Sequence, residues 1–282
     1  MSVINTNVKS LVAQNAATIN NRAMSKAMEQ LSTGKRINTA ADDAAGLAIS
    51  SKMTAQIKGL NQAVRNANDG ISLLQTAEGA TQEITNMLQR MRELAVQAAN
   101  GTNDTADRSA LNLEVTALKN EIDRISSNTE WNGMKIFTNS ATAIGGATGS
   151  AKFQVGVDGT ANDQISVTFD KLTTSAGGLN ITAVSLATAT SAATALSTLD
   201  TAIAAVNTDR ARFGATINRL TYAADNLANV STNAQESRSR ILDTDYAQAT
   251  TELARTQIIQ QAATAMLAQA NQAPQSVLSL LR

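Results

Sequence analysis

The sequence has no histidine, no cysteine and a single proline, and only 2% of its residues are aromatic. Without histidine it lacks both the commonest general base and the commonest metal ligand. Without cysteine there is no thiolate nucleophile, no disulfide and no thiolate metal site. Asp, Glu, Ser and Lys remain, yet they form no recognisable nucleophile or acid–base constellation. The expectation is a protein that is not an enzyme and holds no cofactor or metal. The missing cysteine says little about compartment, since only its presence argues for oxidising surroundings.

Net charge is also missing: 23 basic residues balance 23 acidic ones. They are interspersed and form no basic block, so the footprint of a nucleic-acid partner is absent. No apolar run approaches the roughly 18–20 residues that span a bilayer. Residues Met1 to Ser10 lack the charged start and apolar core of a secretory leader. Export, if it occurs, is expected to use another route.

What is present is helical periodicity. Leu199, Ile203, Val206, Phe213, Ile217, Leu220, Ala224, Leu227, Ala234 and Ile241 recur at steps of three and four, with Arg210, Ser231 and Arg238 interrupting. One narrow apolar stripe of this kind is buried only against other helices. A second stripe runs through Ile57, Leu60, Val64, Ala67, Ile71 and Leu74, then Ile84, Leu88, Met91 and Ala95, with an apparent slip of register near Ala77. The apolar content is mostly Ala, Leu, Ile and Val with few rings, and small side chains suit slender bundles. Pro274 lies near the C-terminus, so nothing earlier breaks a helix.

Between these stripes the punctuation is legible. Gly34, with Lys26, Lys35 and Arg36 nearby, marks a helix end. Thr39 to Asp42 has capping-box spacing, and a helix is predicted from there to about Ala99. Asp104 or Thr105 caps the next helix, which Trp131-Asn132-Gly133 closes. Phe153, Val155 and Val157 alternate strictly, as do Ile165, Val167 and Phe169, which predicts a hairpin that needs support from the helices. The Ser/Thr/Ala-rich stretches 138–150 and 171–198 read as plain solvated loops, with sugar attachment as the alternative. Asp243 to Asp245 start a last helix, in which Leu253, Ile258, Ile259, Met266 and Leu267 spread around most of the circumference. Such a helix must be buried on several sides, by the other chain end and by copies of the same protein.

The fold class expected is mainly α: a long antiparallel helical coiled-coil rod formed by both chain ends, with a small β-hairpin region in the middle. Three parts are expected. Residues 1–42 with 242–282 form an inner coiled coil, 43–137 with 193–241 form a helical rod, and 138–192 form a hairpin-bearing variable segment packed on it.

Several motifs point to a family. They are Leu31-Ser-Thr-Gly-Lys-Arg-Ile-Asn38 with Asp42-Asp43-Ala-Ala-Gly46, Asn66-Ala-Asn-Asp-Gly-Ile-Ser72, Gln89-Arg-Met-Arg-Glu-Leu-Ala-Val-Gln97 and Asn120-Glu-Ile-Asp-Arg-Ile125. The C-terminal Ala270-Asn-Gln-Ala-Pro-Gln-Ser-Val-Leu-Ser-Leu-Leu-Arg282 completes the set. Residues 1–137 and 195–282 thus resemble bacterial flagellin, in a short form with reduced outer domains. The resemblance implies a self-assembling subunit of the flagellar filament, outside the cell, exported unfolded by the flagellar type III route. It implies a homopolymer, an export chaperone, filament cap and hook-junction proteins and host flagellin receptors as partners, with no nucleic acid and no membrane insertion. Ends rich in Ala, Gln and Asn fit this, because thin stripes alone do not offset an ordering entropy of about 1–2 kcal/mol per residue.

The resemblance also assigns sites. Gln89, Arg90, Leu94 and Gln97, with Glu114 on the next helix, correspond to contacts for the flagellin-sensing Toll-like receptor. The plainer reading gives the same face to neighbouring subunits. Val277, Leu278, Leu280 and Leu281 form an apolar tip, read from the residues as a helix end packed on a partner helix. The resemblance adds chaperone binding and cytosolic sensing there. Asp42-Asp43 and the pair Asp243 and Asp245 are read as helix caps rather than a cation site. A hook–filament junction protein is the nearest alternative, and a cytosolic coiled-coil adaptor is one of a different class. An inserted zinc protease would need two histidines on one helix, and the chain has none.

Overall fold

The structure, a computed structural model, describes residues 6–138, 140 and 143–279, with backbone alone for 147 and 273–279. The described chain is mainly helical: α1 (Val8–Thr33), α2 (Ala44–Ala99), α3 (Thr105–Asn128), α4 (Ala189–Leu242) and α5 (Tyr246–Ser279). Two antiparallel strand pairs lie between α3 and α4, β1 (Glu130–Trp131) with β2 (Met134–Lys135) and β3 (Ser150–Gln154) with β4 (Gln164–Thr168). Contacts divide the chain into two compact units, Met1–Ile57 with Thr232–Arg282 and Lys58–Ser231.

The larger unit, Lys58–Ser231, holds the main core. In α4 its buried seam is Leu199, Ala202, Val206, Asp209, Phe213, Thr216, Leu220, Ala224, Leu227 and Ser231. The steps are all of three or four residues, close to the 3.5-residue repeat of helices packed side by side. Ile203, Arg210 and Ile217, read from sequence as part of the stripe, lie half-buried beside it. In α2 the buried seam runs unbroken through Leu60, Ala63, Ala67, Gly70, Leu74, Ala77, Thr81, Ile84, Leu88, Met91, Ala95 and Ala98. The slip expected near Ala77 does not occur, because glycine and threonine occupy seam positions that an apolar count overlooks. Thr81 is tolerated there because its hydroxyl donates to the Glu78 carbonyl at 2.8 Å, leaving no unpaired polar group.

The β3–β4 pair covers this core. Phe153 faces Ile165 and Ala151 faces Val167 in register, and Ala151, Ile165 and Val167 are buried. The prediction of alternating strands holds, although Val155 and Val157 lie beyond the last strand pair. Gly70 explains the close approach: a Cβ built there would stand 3.0 Å from Phe153 Cδ1 and 3.2 Å from Leu220 Cδ1. Phe169 stacks obliquely on Phe213, with ring centroids 5.4 Å apart.

The segment 171–188 departs from the solvated loop expected. Leu172, Leu179, Ile181, Val184 and Leu186 are buried, and polar groups of α3 pin the segment down. Asp123 accepts from the Thr174 amide at 2.8 Å and its hydroxyl at 2.7 Å. Lys119 Nζ donates to the Val184 carbonyl at 2.8 Å, and Asn112 Oδ1 accepts from the Leu186 amide at 2.9 Å. Within the stretch 138–150, Ala143 and Ile144 are likewise buried. Trp131-Asn132-Gly133 does more than close α3: Asn132 (φ 49°) and Gly133 (φ 76°) form the tight turn between β1 and β2.

Asp209, at a buried seam position, is ion-paired to Arg212, which also holds Asp170. Burial, then repulsion from Asp170, pushes the Asp209 carboxyl up to about 6 despite the guanidinium.

In the smaller unit α1 ends as predicted. Gly34 is the left-handed cap (φ 68°), and its amide donates to the Gln30 carbonyl at 2.9 Å. The α2 cap differs from expectation. Asp43, not Thr39, accepts from the Gly46 amide at 2.9 Å. Asp42 instead closes the preceding turn on Thr39 and pairs with Lys26 at 2.7 Å, and those bonds hold its carboxyl far below the usual range. Asp245 caps α5 through the Ala247 amide at 2.9 Å, and Asp243 accepts from the Ser239 hydroxyl at 2.6 Å.

Candidate functional site

Two surfaces, one in each unit, carry features that the folded chain itself leaves unused. The first is the outside of the α1–α5 pair. These helices run antiparallel: Asn7 Nδ2 donates to the Ala270 carbonyl at 2.8 Å, and Asn20 Nδ2 donates to the Thr256 carbonyl at 2.8 Å. Where the chain turns between α1 and α2, the Arg36 amide donates to the Leu242 carbonyl and the Thr244 amide to the Gly34 carbonyl, at 2.7 and 3.0 Å. Among the described residues, the buried positions of the two helices are small or polar: Asn20, Ala27, Ala249 and Thr256.

Many of the large apolar residues are left exposed. Val8, Leu11, Val12, Ile19 and Met28 of α1 and Ile258, Ile259 and Met266 of α5 are between 39% and 67% exposed. A groove of about 730 Å³ runs between the helices, lined chiefly by Val8, Val12, Ala16, Ile259, Ala263 and Met266. An ordinary helix pair buries its large apolar residues; here Met24, Leu31, Leu253 and Leu267 reach only half-burial and the eight above stay exposed. Contiguous exposed apolar surface of this kind marks an interaction face. The spread of apolar residues around α5 made its half of the face legible in the sequence.

The second surface joins α2 and α3. Arg90 Nε donates to Glu114 Oε1 at 2.9 Å, and Arg90 Nη1 to Glu93 Oε2 at 3.0 Å. The Glu114 hydrogen bond, more than any other effect, raises the already high basicity of Arg90. Gln89 and Gln97 are exposed beside them. Leu94 is not on this surface: it is 1% exposed and belongs to the core. At about 100° per residue, a step of four turns it roughly 40° past Arg90, toward the interior. Sequence reasoning missed two exposed apolar residues on these helices, Val96 and Leu113, at 51% and 70% exposure. Each stands next to a singled-out residue, but neither breaks the helical pattern and so neither gave a signal.

Of the C-terminal tip, Val277 and Leu278 lie on the backbone of α5, with side chains outside the described residues. Leu280 and Leu281 lie outside the described residues altogether. Among the described residues, no helix is long and apolar enough to cross a membrane.

Comparison with known proteins agrees with this architecture. Residues 4–142 match the bacterial flagellin N-terminal helical region, and residues 196–281 match the bacterial flagellin C-terminal helical region. The chain is 46% identical to a flagellin of Halalkalibacterium halodurans over 280 residues, covering 99% of this chain and all of that protein. It is 42% identical to the flagellar filament 33 kDa core protein of Treponema phagedenis, with 99% of this chain and all of that protein aligned. The crystal structure of Bacillus cereus flagellin superposes with a TM-score of 0.50 at 35% identity, over 58% of this chain and 88% of that one. A hook-associated protein structure from Vibrio parahaemolyticus shares the fold, with a TM-score of 0.61 at 15% identity over 72% of this chain and all of that one. Two matched terminal regions and full-length identity place the chain in the bacterial flagellin family.

Proposed function

We propose that this protein is the structural subunit of a bacterial flagellar filament, polymerising outside the cell to serve swimming motility. One observation carries the reading: α1 and α5 leave many large apolar residues exposed, while their fully buried positions among the described residues are small or polar. Such a pair gains little by folding alone and much by packing against further copies, so mass action at a growing tip supplies the missing contacts. In this reading residues 1–42 with 242–282 form the inner, channel-lining domain. Residues 43–137 with 193–241 form the surrounding rod, and 138–192 the outer segment. Export as an unfolded chain through the flagellar type III route suits a protein without disulfides. An export chaperone binds the apolar C-terminal tip at Val277, Leu278, Leu280 and Leu281 before assembly, and cap and hook-junction proteins hold the filament's two ends.

Recognition by host flagellin receptors belongs to the same proposal. The exposed contacts are Gln89, Arg90, Gln97 and Glu114, with Leu94 holding the helix in place from the core side. Full-length identity of 46% to a flagellin favours a filament subunit over a junction protein, whose likeness here extends to the fold alone.

The test is sedimentation and negative-stain microscopy of purified protein with short filament seeds. Long tubular filaments, lost when residues 1–40 or 243–282 are removed, support the reading. A stable small oligomer that ignores seeds refutes it.

A further inference from the structure

We infer that Asn100 is a site of spontaneous backbone-directed deamidation, activated by Arg108, whereas the second Asn-Gly pair, Asn132-Gly133, is protected. Both asparagines are exposed, so exposure does not distinguish them; the groups around them do.

Asn100 follows the last residue of α2, in the connection to α3. Among the described residues the Gly101 amide donates no hydrogen bond, and nothing lies within 4 Å of where a Gly101 Cβ would be. That N–H is therefore open to a base, although its peptide unit sits in a turn closed through the Asn100 carbonyl. Arg108 Nη2 donates to the Asn100 main-chain carbonyl at 3.0 Å, and the Asn103 amide donates to the same oxygen at 3.4 Å. That carbonyl and the Gly101 N–H belong to one peptide unit, so drawing charge onto the oxygen makes the N–H more acidic. A charge-assisted bond to a developing anion is the stronger kind. At the other end, the Thr102 amide donates to Asn100 Oδ1 at 3.4 Å, where negative charge collects when the side-chain carbonyl is attacked.

The reaction needs only solvent. Hydroxide takes the Gly101 amide proton and becomes water. The amide nitrogen bonds to Asn100 Cγ, the bond from Cγ to the side-chain nitrogen breaks, and that nitrogen leaves as ammonia with a proton returned from water. The resulting succinimide is opened by water at either carbonyl. One opening gives aspartate; the other gives isoaspartate, with the main chain rerouted through the side chain. Either product adds a negative charge at the end of α2, and the second also lengthens the backbone between α2 and α3.

Asn132 has the same neighbour, but among the described residues no arginine or lysine donates to its main-chain carbonyl, and its turn is the tighter one. It is held at φ 49° in the two-residue turn, with Glu130 paired to Lys135 and Trp131 to Met134. Ring closure requires rotating the Asn132–Gly133 linkage out of the turn, which breaks these pairs.

The full chain and its R108Q and R108K variants are incubated at mildly alkaline pH, and tryptic peptides carrying Asn100 or Asn132 are followed by mass spectrometry. The expected result is steady conversion at Asn100 with little at Asn132, slowed on the order of tenfold in R108Q and partly restored in R108K. Arg108 also donates to the Ala98 carbonyl at 2.9 Å, tying down the end of α2. A purely structural role would make R108Q loosen the loop and react faster, so the direction of change separates the two accounts. Conversion at Asn132 equal to that at Asn100, no conversion at either, or an R108Q rate unchanged or raised overturns the inference.

Discussion

Asn20 of α1 donates to the backbone carbonyl of Thr256 on α5 at 2.8 Å, joining positions 236 apart in sequence across the terminal pair. It also reaches Gln260 Oε1 at 3.3 Å. The Asn20 side chain is buried, and this bond is what satisfies its amide there. Asn20→Ala should therefore weaken the terminal pair by about 0.5–1.5 kcal/mol. Measured as the critical concentration for seeded growth, that is a rise of up to roughly tenfold, with the melting of Lys58–Ser231 unchanged.

The outward apolar residues should behave in the opposite way to core residues. Met266→Lys places a charge on a side chain that is 65% exposed. It should leave the monomer's thermal unfolding within about 0.5 kcal/mol of the parent and abolish filament growth in seeded sedimentation. Loss of folding in this variant would show that Met266 supports the subunit rather than its packing.

Asp209 gives a pH signature. Its folded-state value of about 6 stands above the usual 3.8, so the folded chain holds this proton more tightly than the unfolded one. The group's contribution is full below about pH 4 and is lost as pH rises through about 6. Asp209→Asn removes that slope. Urea melts should show the variant gaining on the parent between pH 4 and 7, by on the order of 2 kcal/mol. Parallel curves would contradict the assignment.

Two glycines of α2 should respond with opposite sign. Gly70→Ala forces its new methyl against Phe153 at 3.0 Å, and overpacking costs about 1–3 kcal/mol against a helix-propensity gain of up to about 1. Gly79→Ala meets nothing within 4 Å and should raise stability by about 0.5–1 kcal/mol. Thermal melts of the two single variants, compared with the parent, read both effects.

At the α2–α3 surface, Arg90→Ala removes a half-exposed side chain bonded to Glu114 and Glu93. It should reduce receptor activation by monomer while leaving the melting temperature nearly unchanged. Leu94→Ala empties a buried position and should destabilise its unit by about 2–5 kcal/mol. Reporter-cell signalling measured beside calorimetry separates the two causes, and full signalling from a folded R90A protein would remove Arg90 from the receptor face.

The helices were legible in the sequence because narrow stripes and the Gly34 helix end signal through local chemistry. Other features were hidden because tertiary contacts decide them. The sequence stripe gives Arg210 the seam position that Asp209, paired to Arg212, in fact occupies. Leu94 shares a nominal helix face with Arg90, but the core begins only a fraction of a turn away. Segment 171–188 has a loop's composition, yet Lys119 and Asp123 of α3 tie it down. Those partners lie more than 50 residues away, beyond any local pattern. The α2 cap fell to Asp43 because Asp42 was already committed to Lys26 and Thr39.

The most direct test of the account is the environment of Val12, Ile258 and Met266 inside an assembled filament, read from an electron cryomicroscopy map of the seeded polymer. The account predicts that all three, more than half exposed in the single chain, become buried against neighbouring copies. A filament that leaves them in solvent, held together by other surfaces, would contradict it.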